Sequence, residues 1–245
     1  MTARRTWATA WRILAQIRHD KRTLALIFVL PTGLLGLLAW MLTESPGSFN
    51  YWGAAILGVF PLIVMFLVTS VATLRERTSG TLERLLAMPI GRGDILGGYA
   101  IAFAILGIGQ AVVVSVFTFA VFGLAITGST VLVATVAVAD ALLGTALGLA
   151  ASSLARTEFQ AVQMMPLILF PQLFLCGLLV PRDQLPVVLE WLSYAMPLTY
   201  AVNATRDATT STGLSWDYCI NIAVLLGFSL AALVGGGLTL RRSTK

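Results

Sequence analysis

The sequence predicts an all-α integral membrane protein with six transmembrane helices, and three observations carry that prediction. Hydrophobic residues fill 58% of the 245 positions and charged residues 11%, whereas soluble domains average roughly 45–50% and about 25%. The mean hydropathy of +0.88 agrees. Six stretches are long enough to cross a hydrocarbon core about 30 Å thick, which takes about 20 apolar residues. Of the 16 basic residues, all but Arg182 and Arg206 fall on one side of the resulting topology. Lys and Arg mark the cytoplasmic side, so both termini are expected there. The net charge of +5 follows from that asymmetry and needs no nucleic acid to explain it.

The scarce residues exclude chemistry. His19 is the one histidine, and Cys176 and Cys219 are far apart, so neither a histidine-based metal site nor a catalytic triad can be assembled. Lys21 and Lys245 are the only lysines and neither follows glycine, which rules out a G-x-x-x-x-G-K-[ST] phosphate-binding loop. The chain is expected to be no enzyme, with no catalytic residue, metal or cofactor of its own. If ATP is used, another chain binds it.

The elements follow in order. Residues 1–22 form an amphipathic N-terminal helix: Trp7, Ala10, Trp11, Leu14 and Ile17 recur at helical spacing, with Arg5, Arg12, Gln16 and His19 opposite. Such a helix lies in the headgroup layer, its tryptophans at the interface and its arginines toward anionic lipid. The spans run Thr23–Leu42, Tyr51–Leu74, Ile95–Ala125, Val131–Leu154, Ala161–Val180 and Tyr218–Leu240. The first is too long for a cleavable signal, whose apolar region is about 7–15 residues. The third is long enough to tilt or break, and Pro166 and Pro171 kink or interrupt the fifth.

Between spans two and three lies the cytoplasmic loop 75–94. Gly80 can cap a helix, Glu83 then sits in a first turn where the dipole favours an anion, and Pro89 ends it. The result is two turns with Leu82, Leu85 and Leu86 on one face and Glu83 and Arg84 on another. A rigid knob of this kind transmits a push; a solvated connector is the plainer reading. Between spans five and six, residues 181–217 make an outer loop whose run Leu185–Leu192 is too short to cross, and reads as re-entrant or interfacial.

Polar groups inside the spans are candidates for a translocation path. Asp140 sits mid-span four, where a carboxylate costs about 2.5–3.5 kcal/mol on insertion scales, so it faces protein or water. It is either a polar contact in a substrate path or a structural carboxylate beside the Gly144-x-x-x-Gly148 packing seam. Gln110, Gln163 and Gln172 pose the same choice: line a path or satisfy one another. Cys176 and Cys219 could pair, or pack as small buried hydrophobes.

Two motifs resemble those of type-two ABC export permeases, and the bacterial drug-exporter, daunorubicin-resistance-like group in particular. Arg75-Glu76…Gly80-Thr81-Leu82-Glu83…Leu85-Leu86…Pro89 is similar to that family's coupling-helix stretch. Leu179-Val180-Pro181…Leu185-Pro186…Trp191-Leu192…Pro197-Leu198-Thr199-Tyr200…Arg206 is similar to its outer re-entrant region. The resemblance implies one permease domain over 1–245 that dimerises with a second copy or a related permease. It implies docking of a nucleotide-binding ATPase through Gly80, Thr81, Leu82, Glu83, Arg84 and Leu85, with Trp7, Trp11 and Arg12 on the interfacial helix beside it. ATP and magnesium would enter through that partner. The substrate implied is hydrophobic or amphipathic (drug, antibiotic or lipid), moved outward across a bacterial inner membrane. The competing class is an ion-coupled secondary transporter using Asp140, although no internal repeat of the kind such transporters carry is evident.

Overall fold

A computed structural model of the chain describes residues 3–79 and 91–240, and among these every regular element is helical. In chain order they are α1 (Ala3–His19), α2 (Lys21–Met41), α3 (Pro46–Thr78), α4 (Arg92–Val116), α5 (Thr130–Leu154), α6 (Glu158–Leu175), α7 (Val187–Ser193), α8 (Pro197–Thr210) and α9 (Trp216–Leu240). A π-helical turn, Phe117–Val121, closes α4, and a 3₁₀ turn, Arg182–Gln184, precedes α7.

Local chemistry sets the starts. Asp20 caps α2, accepting from the backbone N–H groups of Arg22 and Thr23 at 3.1 and 3.2 Å and from the Thr23 hydroxyl at 2.7 Å. Pro46 occupies the first turn of α3, where its missing N–H costs nothing. Ser129 caps α5 and Thr157 caps α6 through their side-chain oxygens.

Helices α3 and α5 form the central pair, and the glycine spacing explains how close they come. A Cβ at Gly144 would sit 2.3 Å from the carbonyl oxygen of Leu62, and one at Gly148 would sit 2.7 Å from that of Phe66. Only hydrogen fits there, so the two backbones touch. Leu57, Leu62, Met65, Phe66 and Leu143 are fully buried along this seam. Around the pair stand α4, α9, α6 and α2, with α1 laid against α4 and α8 against α9 and α5.

Among the described residues, five helices are long and apolar enough to cross a membrane: Lys21–Met41, Pro46–Thr78, Gly93–Val121, Thr130–Leu154 and Trp216–Gly236. They match spans one to four and six. The fifth expected span is α6, which differs from its expected bounds. It is 18 residues long and carries Glu158, Gln160, Gln163 and Gln172, which dilute its apolar character. It also ends at Leu175 rather than continuing to Val180. Gly177, at φ +85°, takes the left-handed backbone that stops a helix. The third span likewise stops in its π turn at Val121, four residues short of Ala125.

Candidate functional site

The residues that tie the bundle together at the end bearing α1 lie in the last turn of α3. That turn, Arg75 to Thr78, is helical, so α3 runs into the region expected as loop 75–94, and α4 begins at Arg92. Helix α1 packs on α4 through Thr6, Thr9, Ala10, Ile13 and Ile17, which are buried with Ile95, Tyr99, Ala102 and Phe103. Trp7 and Trp11 point away and are 55% and 66% exposed. The expected apolar stripe is therefore divided. Its small and aliphatic members face the protein, and its tryptophans face outward.

Arg12 departs from expectation. Instead of facing lipid, its Nη2 donates to Glu76 Oε2 at 3.0 Å. The Tyr99 hydroxyl donates to the same oxygen. One carboxylate oxygen thus joins α1, α3 and α4. The Glu76 side chain is 9% exposed and that of Arg12 34%, so the pair is largely withdrawn from water. Six residues earlier, the Thr6 hydroxyl donates to Asp94 Oδ1 at 3.2 Å, while Asp94 Oδ2 accepts the Gly91 N–H and closes the first turn of α4.

The neighbours of Glu76 reach two further helices. Arg75 grips Glu158, at the start of α6, with Nε to Oε1 at 3.1 Å and Nη2 to Oε2 at 3.3 Å. Arg77 donates to the carbonyl of Ser152 near the end of α5. Three consecutive residues of α3 therefore hold α6, α1 with α4, and α5 in turn. In the sequence Arg75, Glu76 and Arg77 read only as part of a loop, and nothing there marks Thr6, Asp94, Tyr99 or Glu158. The available signal was an acidic residue between two arginines at the end of an apolar helix. It gives no hint of partners that lie 23, 64 and 83 positions away.

The remaining expected residues do not form one surface. Gly80, Thr81, Leu82, Glu83, Arg84 and Leu85 lie outside the described residues. Gln110 on α4 and Asp140 on α5 are both 0% exposed, and their side-chain oxygens and nitrogen have no hydrogen-bond partner. Gln163 is exposed on the outside of α6. Gln172 is buried and fully engaged: its Nε2 donates to the Ile168 carbonyl at 2.9 Å and its Oε1 accepts the Leu198 N–H at 3.3 Å. It pins the start of α8 to α6. Cys176 is buried and Cys219 exposed, and both are free thiols, so Cys219 is not the buried hydrophobe expected.

At the other end, Pro197-Leu198-Thr199-Tyr200 opens α8 with proline in its first turn. Thr199 donates to the Ser193 carbonyl and Tyr200 to the Tyr194 carbonyl, each at 2.8 Å. The motif thus clamps α8 to the end of α7, whose valines, leucines and Trp191 stay exposed. Arg206 donates to the carbonyl of Gly177, and Arg182 stands 4.3 Å over the Tyr194 ring.

A bundle of long apolar helices, with its polar fastenings at the two ends and buried polar groups between them, defines a multi-pass membrane protein. The chain belongs to the ABC-2 type transporter family, whose model matches residues 4–209, and it is therefore a membrane component of an ABC transporter. It is also 33% identical, over 140 residues, to the ABC transporter G family member 20 of Dictyostelium discoideum. That match takes in 57% of this chain and 19% of the relative, so the chain spans a small part of the relative's length.

Proposed function

We propose that the chain is the permease half of an ATP-driven exporter, working as a dimer with a separate ATPase that brings ATP and magnesium. The observation that carries this reading is the fastening at residues 75–77. A force applied to the segment that follows α3 would be passed to α1, α4, α5 and α6 together rather than lost in one flexible turn. The α1 end is the cytoplasmic one, since it carries the basic residues. Trp7 and Trp11 then lie at the headgroup level. The Gly80 to Leu85 stretch is the docking element for the ATPase. The exposed apolar face of α7 suits an interfacial or re-entrant position on the outer side. The substrate is hydrophobic or amphipathic, and the location is a bacterial inner membrane.

The test is reconstitution in phospholipid vesicles with and without a candidate nucleotide-binding ATPase, following a lipophilic cation such as rhodamine 6G. Movement that requires both the ATPase and ATP is the expected result. Movement by the permease alone, driven by a proton or sodium gradient, would overturn the reading. It would favour the ion-coupled alternative, for which the buried, unpartnered Asp140 is the supporting observation. In that case Asp140→Asn would abolish transport whatever the ATPase does.

A further inference from the structure

Helix α1 is fastened to the bundle more firmly than a surface float requires. Its buried face seats on α4: Ala10, Ile13 and Ile17 lie against Ile95, Tyr99 and Phe103, and Thr9 fits over Gly98, where a Cβ would come within 2.6 Å of the Thr9 Cβ. Contacts of that kind set where α1 rests on α4 but do not tie it to α3. Two directional bonds among the described residues add to them. Thr6 is held by Asp94 and Arg12 by Glu76. The two bonds are six residues apart, about 9 Å along the helix axis. One fixes the position of α1 and the second its rotation. Arg12 is bonded not to α4, on which α1 rests, but to Glu76 at the end of α3, four positions before Gly80 in the sequence.

We propose that Glu76 is the positioning residue that makes α1 and α3 move as one lever, so that the amphipathic helix is driven whenever the end of α3 is pushed. This rests on the exporter reading above and names the residues that carry its stroke. Stability alone is a poor reason for such a pair, because a buried ion pair is often matched or bettered by apolar side chains of similar volume. What an apolar pair would lack is direction. Glu76 Oε2 receives Arg12 Nη2 from one helix and the Tyr99 hydroxyl from another, so α1, α3 and α4 cannot shift independently without breaking a bond. The flanking charges do not compete, because Arg75 is taken by Glu158 and Arg77 by the Ser152 carbonyl.

The experiment uses the full permease with its ATPase in the vesicles described above, and reads rhodamine 6G moved per ATP hydrolysed. The apolar pair Arg12→Met with Glu76→Leu removes the bond without leaving a lone buried charge. The expected result is an assembled complex that hydrolyses ATP normally while dye moved per ATP falls about ten-fold, within the range seen when a coupling network is interrupted. A second variant guards against a folding defect. Arg12→Cys with Glu76→Cys, in a background of Cys176→Ala and Cys219→Ala, is joined by a short bis-thiosulfonate linker. The linker restores the dye-to-ATP ratio if the bond acts as a mechanical tie. A wild-type ratio in the apolar pair, or no recovery on linking, overturns the inference while leaving the exporter reading standing. A wild-type permease that moves dye without the ATPase overturns both.

Discussion

The two ends of the bundle are held by different kinds of bond. At the α1 end two of the fastenings are ionic and long-range in sequence, Arg12 to Glu76 and Arg75 to Glu158, with Arg77 donating to the Ser152 carbonyl beside them. At the α8 end they are side chains donating to main-chain carbonyls: Thr199 to Ser193 and Tyr200 to Tyr194 close by, and Arg206 of α8 to Gly177, between α6 and α7 and 29 positions away. Bonds to carbonyls lock the local shape of a turn. Charge pairs between helices fix whole elements relative to one another, and they break as units. The first arrangement holds a form at the α8 end; the second passes a displacement between helices at the α1 end.

The largest expected effect tests the ionic end by removing one charge at a time. Arg12→Met leaves the Glu76 carboxylate, 9% exposed, with Tyr99 as its one remaining donor among the described residues. The loss should be about 3 kcal/mol, the lower part of the range for breaking a buried pair. Glu76→Leu should cost less, because Arg12, at 34% exposure, can turn its guanidinium toward water. Thermal unfolding of the two variants in the same detergent checks the order. Equal losses would mean that the pair is as solvated as a surface bridge, and the contrast between the ends would weaken.

That asymmetry could not be read from the sequence. The long spans were legible because hydropathy is a local quantity: α2, α3, α5 and α9 fall close to their expected bounds, and Gly144 and Gly148 marked a packing seam on α5 without naming α3 as its partner. Helix α6 was less legible, since its glutamines and prolines belong to no simple pattern and Gly177 ends it early. The motif Pro197 to Tyr200 was recognisable as a motif, but its purpose emerges only with the Ser193 and Tyr194 carbonyls in view. The amphipathic pattern of its helix, considered alone, points Arg12 toward lipid. Its true partner lies 64 positions on, and periodicity within one helix carries no information at that range.

A middle-sized effect tests the neutral end. Thr199 is fully buried, and Thr199→Val keeps its shape while removing one of the two bonds to the Ser193 carbonyl, which still accepts the Met196 N–H at 3.1 Å. The cost should be about 0.5–1.5 kcal/mol, that of one net hydrogen bond. Unlike the Arg12 variant, it should loosen α7 locally. Hydrogen exchange in residues 187–200 should rise while α1 and α4 remain protected. Exchange that spread to α4 would show the two ends to be one cooperative unit.

The smallest effect concerns the sign of the charges that meet at each end. Opposite charges meet at the α1 end, whereas at the α8 end two carboxylates, Asp207 and Asp217, line one cavity of about 320 Å³ with Asn203, Arg206, Ile220 and Asn221. Burial, and then the negative charge of Asp217, push the Asp207 carboxyl above its ordinary range. A carboxyl raised in the folded state binds its proton more tightly there than in the unfolded chain, so its contribution to stability grows as pH falls through the folded value. Asp20 has the reverse sign. Its bonds from Thr23 hold it below the ordinary range, so the stability it contributes is present above the unfolded value and is lost as pH falls through the folded one. Acidification from neutral should therefore first firm the α8 end slightly and only later release the start of α2. Asp217→Asn should remove part of the first change, because Asp207 then titrates lower, and should leave the second untouched. Melting temperature against pH for wild type and Asp217→Asn separates the two. Identical curves would mean that solvent in the cavity screens the carboxylates from each other.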